Sequence, residues 1–105
     1  MKTALFGALL LLTAPAAIAT DMVTVADASL IKWELIPTGV AYFRNLNEFD
    51  ATFLGCCYNY SIDPTTAAGK SMWSTLLLKM ASQRSVSLSV NNKATAGPVL
   101  YLGSY

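Results

Sequence analysis

The chain has 105 residues, 54% hydrophobic and only 12% charged, with two cysteines and no histidine. Seven basic residues stand against six acidic ones, so no basic cluster exists to neutralise nucleic-acid phosphates or anionic lipid, and neither partner is expected. Without histidine the chain lacks the commonest general base, the commonest zinc ligand and every Ser-His or Cys-His nucleophile.

Residues 1–19 place Lys2 ahead of the apolar run Ala4–Leu12 and close on Ala17-Ile18-Ala19. A positive start, a short apolar stretch and a small-x-small end form a secretory signal peptide, too short for a hydrocarbon layer of about 30 Å. Cleavage is expected after Ala19. The product, residues 20–105, is one small domain, secreted or periplasmic. Loss of Lys2 leaves it neutral, and it has no second apolar run of membrane-spanning length.

Residues 20–29 are small and polar and read as a loose leader. Leu30–Ile36 alternates, with Ile31, Trp33 and Leu35 on one face and Lys32 and Glu34 on the other, which predicts a half-buried strand. Pro37-Thr38-Gly39 is a turn, so a second strand over Val40–Leu46 completes a hairpin. Asn47–Gly55 reads as a loop. A third strand is expected over Cys57–Ile62, with Tyr58, Tyr60 and Ile62 on one face.

A helix is predicted from about Thr66 to Ser82, with Asp63 or Thr65 as its cap and Pro64 tolerated at its start. Its inward side carries Met72, Trp73, Leu76, Leu77 and Met80. Serine alternates with aliphatic residues over Ser85–Val90, a strand pattern. Asn91–Pro98 is a loop and Val99–Leu102 a last strand. The order β-β-β-α-β-β is that of a small five-stranded OB-like barrel, mainly β with one helix. An open α+β sheet with one packed helix is the alternative.

The segment YNYSIDPTTAAGKSMWSTLLLKMASQRSVSLSV, Tyr58 to Val90, resembles a motif of small secreted proteins of Gram-negative bacteria. In element order the chain is similar to the OB-fold B subunits of AB5 toxins, of the subtilase-cytotoxin type. The resemblance rests on Ile62, Asp63, Thr66, Gly69, Lys70 and the helix. It implies secretion, an OB fold and a toxin-B-subunit-like homo-oligomer, and carries no catalytic motif. The chain departs from the pattern, which implies a cysteine in the loop Asn91–Pro98; none stands there. No glycan-binding residue of those subunits matches a position here.

Other chemistry is thin. Glu48 and Asp50 sit beside Phe49 and Phe53, but a sugar-cleaving pair needs a deep cleft that separates two pKa values. Ala68-Gly69-Lys70-Ser71 lacks the glycine-rich approach of a phosphate loop, so Gly69 is read as letting the helix approach the barrel wall closely. Lys70 with Ser71 or Ser74 lies on a solvated side. No catalytic residue, metal or cofactor is expected.

Most aromatics must fill the core. Tyr42, Phe49, Phe53 and Tyr105 are those expected at the surface, where aromatics stack on sugars or anchor proteins. In an oxidising compartment free adjacent thiols do not persist. Cys56 and Cys57 therefore form either a vicinal disulfide or a link to a second chain. The reading is a non-enzymatic binding module for a glycan or protein. A structural or inhibitory exported protein and a small hydrolase are the alternatives.

Overall fold

The computed structural model describes residues 20–104; the expected signal peptide and Tyr105 lie outside them. Six strands are present: β1 (Asp21–Val25), β2 (Trp33–Leu35), β3 (Ala41–Phe43), β4 (Tyr60–Ile62), β5 (Val86–Val90) and β6 (Gly97–Gly103). One helix, α1 (Ala67–Ala81), separates β4 from β5. The strands form one sheet in the order β1-β5-β6-β4-β3-β2. Every neighbouring pair is antiparallel except β4 with β6, which is parallel.

The molecule is thus a mainly-β, α+β sheet with one helix. Two expectations change. The strand count is six, not five, because the supposed loose leader contains β1. Its Val23 and Val25 point into the core while Met22 and Thr24 face outward, and it pairs along its whole length with β5. Among the described residues the pairing runs from β1 to β2 without joining these two edges.

β5 explains why β1 is needed. All five of its residues are buried, as befits a strand with neighbours on both sides. Val86, Leu88 and Val90 enter the core, whereas Ser87 is buried on the other face with its hydroxyl 2.8 Å from that of Thr24. A buried hydroxyl without a partner is costly; Thr24 supplies the partner and so fixes β1 in register.

The hairpin forms as expected around Pro37-Thr38-Gly39. The Gly39 N–H donates to the Ile36 carbonyl at 2.8 Å, and Gly39 adopts φ +91°, a conformation glycine takes without a Cβ penalty. Burial of β2 differs from expectation. Trp33 and Leu35 lie opposite buried Phe43 and Ala41, yet are themselves exposed because β2 is the sheet edge. Trp33 makes its contact edge-on to Trp73 of α1, with ring centroids 5.2 Å apart.

α1 starts one residue later than predicted. Thr66, not Asp63 or Thr65, is the N-cap, accepting from the Gly69 N–H at 3.0 Å. Asp63 instead orders the approach, its Oδ1 accepting from the Thr65 N–H and hydroxyl at 2.9 and 2.6 Å. Leu76 is fully buried, with Met72, Trp73 and Met80 packed partly against the core. Leu77 remains exposed beside Leu78, so the inward stripe is narrower than its spacing suggests.

Candidate functional site: the outer face of β2, β3 and β4

The turn at Gly39 sets Glu34 directly opposite Tyr42, and Tyr42 in turn opposite Ser61. These residues alternate with the core-facing Ala41, Phe43, Tyr60 and Ile62, so they share the outer face of the sheet. Arg44 follows two residues after Tyr42 and falls on the same side. Its backbone N–H still pairs with the Lys32 carbonyl at 2.9 Å.

Behind Arg44 the chain is fixed by Asn45, which is 2% exposed. Its Oδ1 accepts from the Lys32 N–H at 2.7 Å, and its Nδ2 donates to the Leu30 carbonyl at 3.0 Å and to Glu48 Oε1 at 3.3 Å. Three bonds from one buried amide lock the segment that aims the guanidinium. Asn45 was not singled out in the sequence, since nothing in its neighbours marks an asparagine as buried.

The expected strand over Cys57–Ile62 is shorter, limited to Tyr60–Ile62. Residues 55–59 instead form a loop closed by the Asn59 Nδ2 donating to the Gly55 carbonyl at 2.8 Å. Tyr60 and Ile62 share the buried face, but Tyr58, expected on the same face, is 53% exposed and turns onto the outer one. Cys56 and Cys57 lie as a close pair, Cα to Cα 2.9 Å, at the head of this loop.

These parts converge on Arg44. Nη1 forms an ion pair with Glu34 Oε1. Nη2 approaches Cys57 Sγ at 3.2 Å and Cys56 Sγ at 3.3 Å. The guanidinium carbon stands 5.8 Å from the centre of the Tyr58 ring, a cation–π distance. Tyr58 closes the circuit, its hydroxyl donating to Glu34 Oε1 and Oε2 at 3.3 and 3.4 Å. Tyr42 stands edge-on to Tyr58, centroids 5.3 Å apart.

The cluster contributes little to stability. Arg44 and Glu34 side chains keep 36% and 40% of their exposure, and such a solvated pair contributes at most about 1 kcal/mol. Its value lies in orientation: one donor fork, one carboxylate and two tyrosine rings are held in fixed relation on an open surface.

The predicted surface aromatics separate. Tyr42 belongs to the cluster. Phe49 is half-buried against the core, and Phe53, expected at the surface, is only 3% exposed and packs on Tyr60 at 5.5 Å between centroids. Tyr105 lies outside the described residues. The loop folds inward because the Tyr60 hydroxyl accepts from the Leu54 N–H at 2.7 Å and donates to the Lys93 carbonyl, drawing Phe53 beneath it. Burial raises the Tyr60 phenol above its ordinary value, the Leu54 N–H opposes this, and the charge of Asp21 adds to the rise.

Glu34, Arg44 and Tyr58 were missed in the sequence. A signal existed: the hairpin turn sets the pairing of Glu34 with Tyr42, and counting outward places Arg44 diagonally from Glu34. Tyr58 gave none, because its direction depends on the cysteine loop.

Glu48 and Asp50 act locally. Glu48 accepts from Asn45, while Asp50 accepts from the Thr52 hydroxyl at 2.6 Å and N–H at 3.0 Å, which lower its carboxyl below the ordinary value. A general acid needs the opposite shift. No grouping of three or more metal-binding side chains occurs among the described residues, and none of their helices is long and apolar enough to cross a membrane. Comparison with protein-family models, with curated proteins and with solved structures finds no match to the chain.

Proposed function

We propose that the chain is an exported, non-enzymatic binding module that recognises a glycan on the outer face of β2, β3 and β4. The observation that carries this reading is the pairing of Tyr42 and Tyr58 beside the Arg44–Glu34 pair on an exposed sheet face. A sugar ring offers an apolar C–H face and a rim of hydroxyls. Tyrosine rings accept the first, and a guanidinium next to a carboxylate supplies both donors and acceptors for the second. Because the ion pair is internally neutral, it favours a neutral sugar over an acidic one.

The strand pairing and the cysteine pair fit the same reading. The parallel pairing of β4 with β6, next to the antiparallel pairing of β5 with β6, supports reading the sheet as a partly open, OB-like Greek-key barrel with β1 added at the β5 edge. Cys56 and Cys57 close as a vicinal disulfide in an oxidising compartment reached through the signal peptide.

A glycan array probed with protein comprising residues 20–105, followed by titration of any hit, tests the proposal. Tyr58→Ala and Arg44→Gln should each weaken binding about tenfold or more, equivalent to about 1.4 kcal/mol. Their thermal midpoints should move little, since Tyr58 is exposed. A blank array with folded protein, or full binding by Tyr58→Ala, removes the glycan.

A further inference from the structure

The two sulfurs do not simply decorate the face. They occupy one end of the Arg44 guanidinium while Glu34 occupies the other. Arg44 is therefore the one group that senses both the cysteine pair and the tyrosine platform.

As a staple the pair is poor. Disulfide stabilisation grows with the length of chain it closes, and adjacent residues enclose no chain between them. Its position is better suited to chemistry: Cys56 is exposed, Cys57 half-buried behind it, and both are within reach of a cation. A neighbouring arginine favours thiolate over thiol.

We propose that Cys56–Cys57 is a reversible redox switch that sets the conformation of the outer face through Arg44; its effect on sugar binding rests on the glycan reading above. The reductant is an external dithiol. One of its thiolates attacks the exposed Cys56 Sγ, forming a mixed disulfide and expelling Cys57 as a thiolate beside Arg44 Nη2. The second reductant thiol, losing its proton, then attacks the mixed disulfide and releases Cys56. Two electrons pass to the pair and the reductant leaves as its own disulfide. Of the two protons given up, one goes to Cys56 and the other to solvent while Cys57 stays anionic.

The new negative charge competes with Glu34 for the guanidinium. Tyr58 bonds to the same carboxylate and its ring lies beside the same cation. Loss of the Arg44–Glu34 pairing therefore releases Tyr58, and with it the edge contact to Tyr42. The oxidised form holds the platform and the reduced form lets it go.

The test compares the oxidised protein, the protein reduced with dithiothreitol, and an Arg44→Gln variant in both states, all without sugar. On reduction the NMR signals of the Arg44 guanidinium and the Tyr58 and Tyr42 rings should move together while those of the core stay in place. The reduced wild type should show ultraviolet thiolate absorbance at neutral pH that Arg44→Gln loses. Signals that stay fixed between the two states overturn the switch. So does reduction that unfolds the domain, which would make the pair a staple. A sugar found on the array should bind the reduced form about tenfold more weakly. If no sugar binds either form but the ligand-free signals move, the switch stands and the glycan reading alone fails.

Discussion

Two positions, one within α1 and one just past its C-terminal cap, carry backbone demands of opposite kind. At Gly69 an added Cβ would lie 1.9 Å from the Asp63 carbonyl oxygen and 2.8 Å from Thr66 Oγ1. What the helix approaches closely at this glycine is the incoming turn, not the barrel wall expected from the sequence. At the other end Gln83 adopts φ 56°, with its N–H donating to the Met80 carbonyl and the Arg84 N–H to the Lys79 carbonyl at 3.3 and 3.0 Å. That is a Schellman ending with glutamine where glycine is the usual choice. Alanine is favoured over glycine in helices by about 1 kcal/mol, yet a backbone carbonyl cannot move aside as a side chain can. Gly69→Ala should therefore destabilise by about 1–3 kcal/mol, whereas Gln83→Gly should stabilise by about 0.5–1 kcal/mol. Urea denaturation reads both. Equal signs for the two changes would contradict this account.

Elements were legible where pattern and punctuation agreed. Pro64 and the polar run around it announce α1, although its cap is Thr66 rather than the expected Asp63 or Thr65. The serine–aliphatic alternation of β5 is unmistakable, although its serine face is buried rather than solvated. β1 was lost because its two inward valines are flanked by Thr20, Asp21 and Ala26, which dilute a five-residue alternation. Its importance comes from a contact distant in sequence, Thr24 with Ser87. The site was legible only in part: Tyr42 follows from strand alternation, but Arg44 and Glu34 meet across the hairpin and Tyr58 reaches them through a loop. Phe53 failed for a similar reason, since its burial depends on the distant carbonyl that Tyr60 reaches. Were residues 20–29 a loose leader, changes there would be silent. Val23 is 2% exposed opposite Leu88, so Val23→Ala should cost about 2 kcal/mol. Met22→Lys, on the outward side of the same strand, should change stability by no more than about 0.5 kcal/mol. Thermal unfolding of the pair separates the readings, and a silent Val23→Ala would return β1 to the status of a leader.

For the whole molecule, the ionisable groups set the two ends of its stability range. Asp50 and Asp63 each have a carboxyl held below the ordinary 3.8, chiefly by the hydroxyls of Thr52 and Thr65 and then by the backbone N–H groups of the same residues. A depressed folded value means that the folded chain binds fewer protons than the unfolded chain in this range. The stabilisation is complete above 3.8 and is lost as pH falls through the lowered values. Both groups are open to water, which screens the effect, so the acid limb should be shallow. Tyr60 works at the other end. Its folded phenol, raised by burial above 10.0, keeps its full contribution below that value, and stability falls as the unfolded phenol ionises and pH rises through the folded one. Asp50→Asn with Asp63→Asn keeps an acceptor at each turn while removing the charge, and should flatten the acid limb alone. Tyr60→Phe should flatten the alkaline limb alone. It should also lower stability at every pH, by about 1–3 kcal/mol, because it leaves the Leu54 N–H and the Lys93 carbonyl without their shared partner. Urea midpoints measured across pH for wild type and both variants check this. If the acid limb keeps its slope in the double aspartate variant, turns at Asp50 and Asp63 are not what acid dissolves.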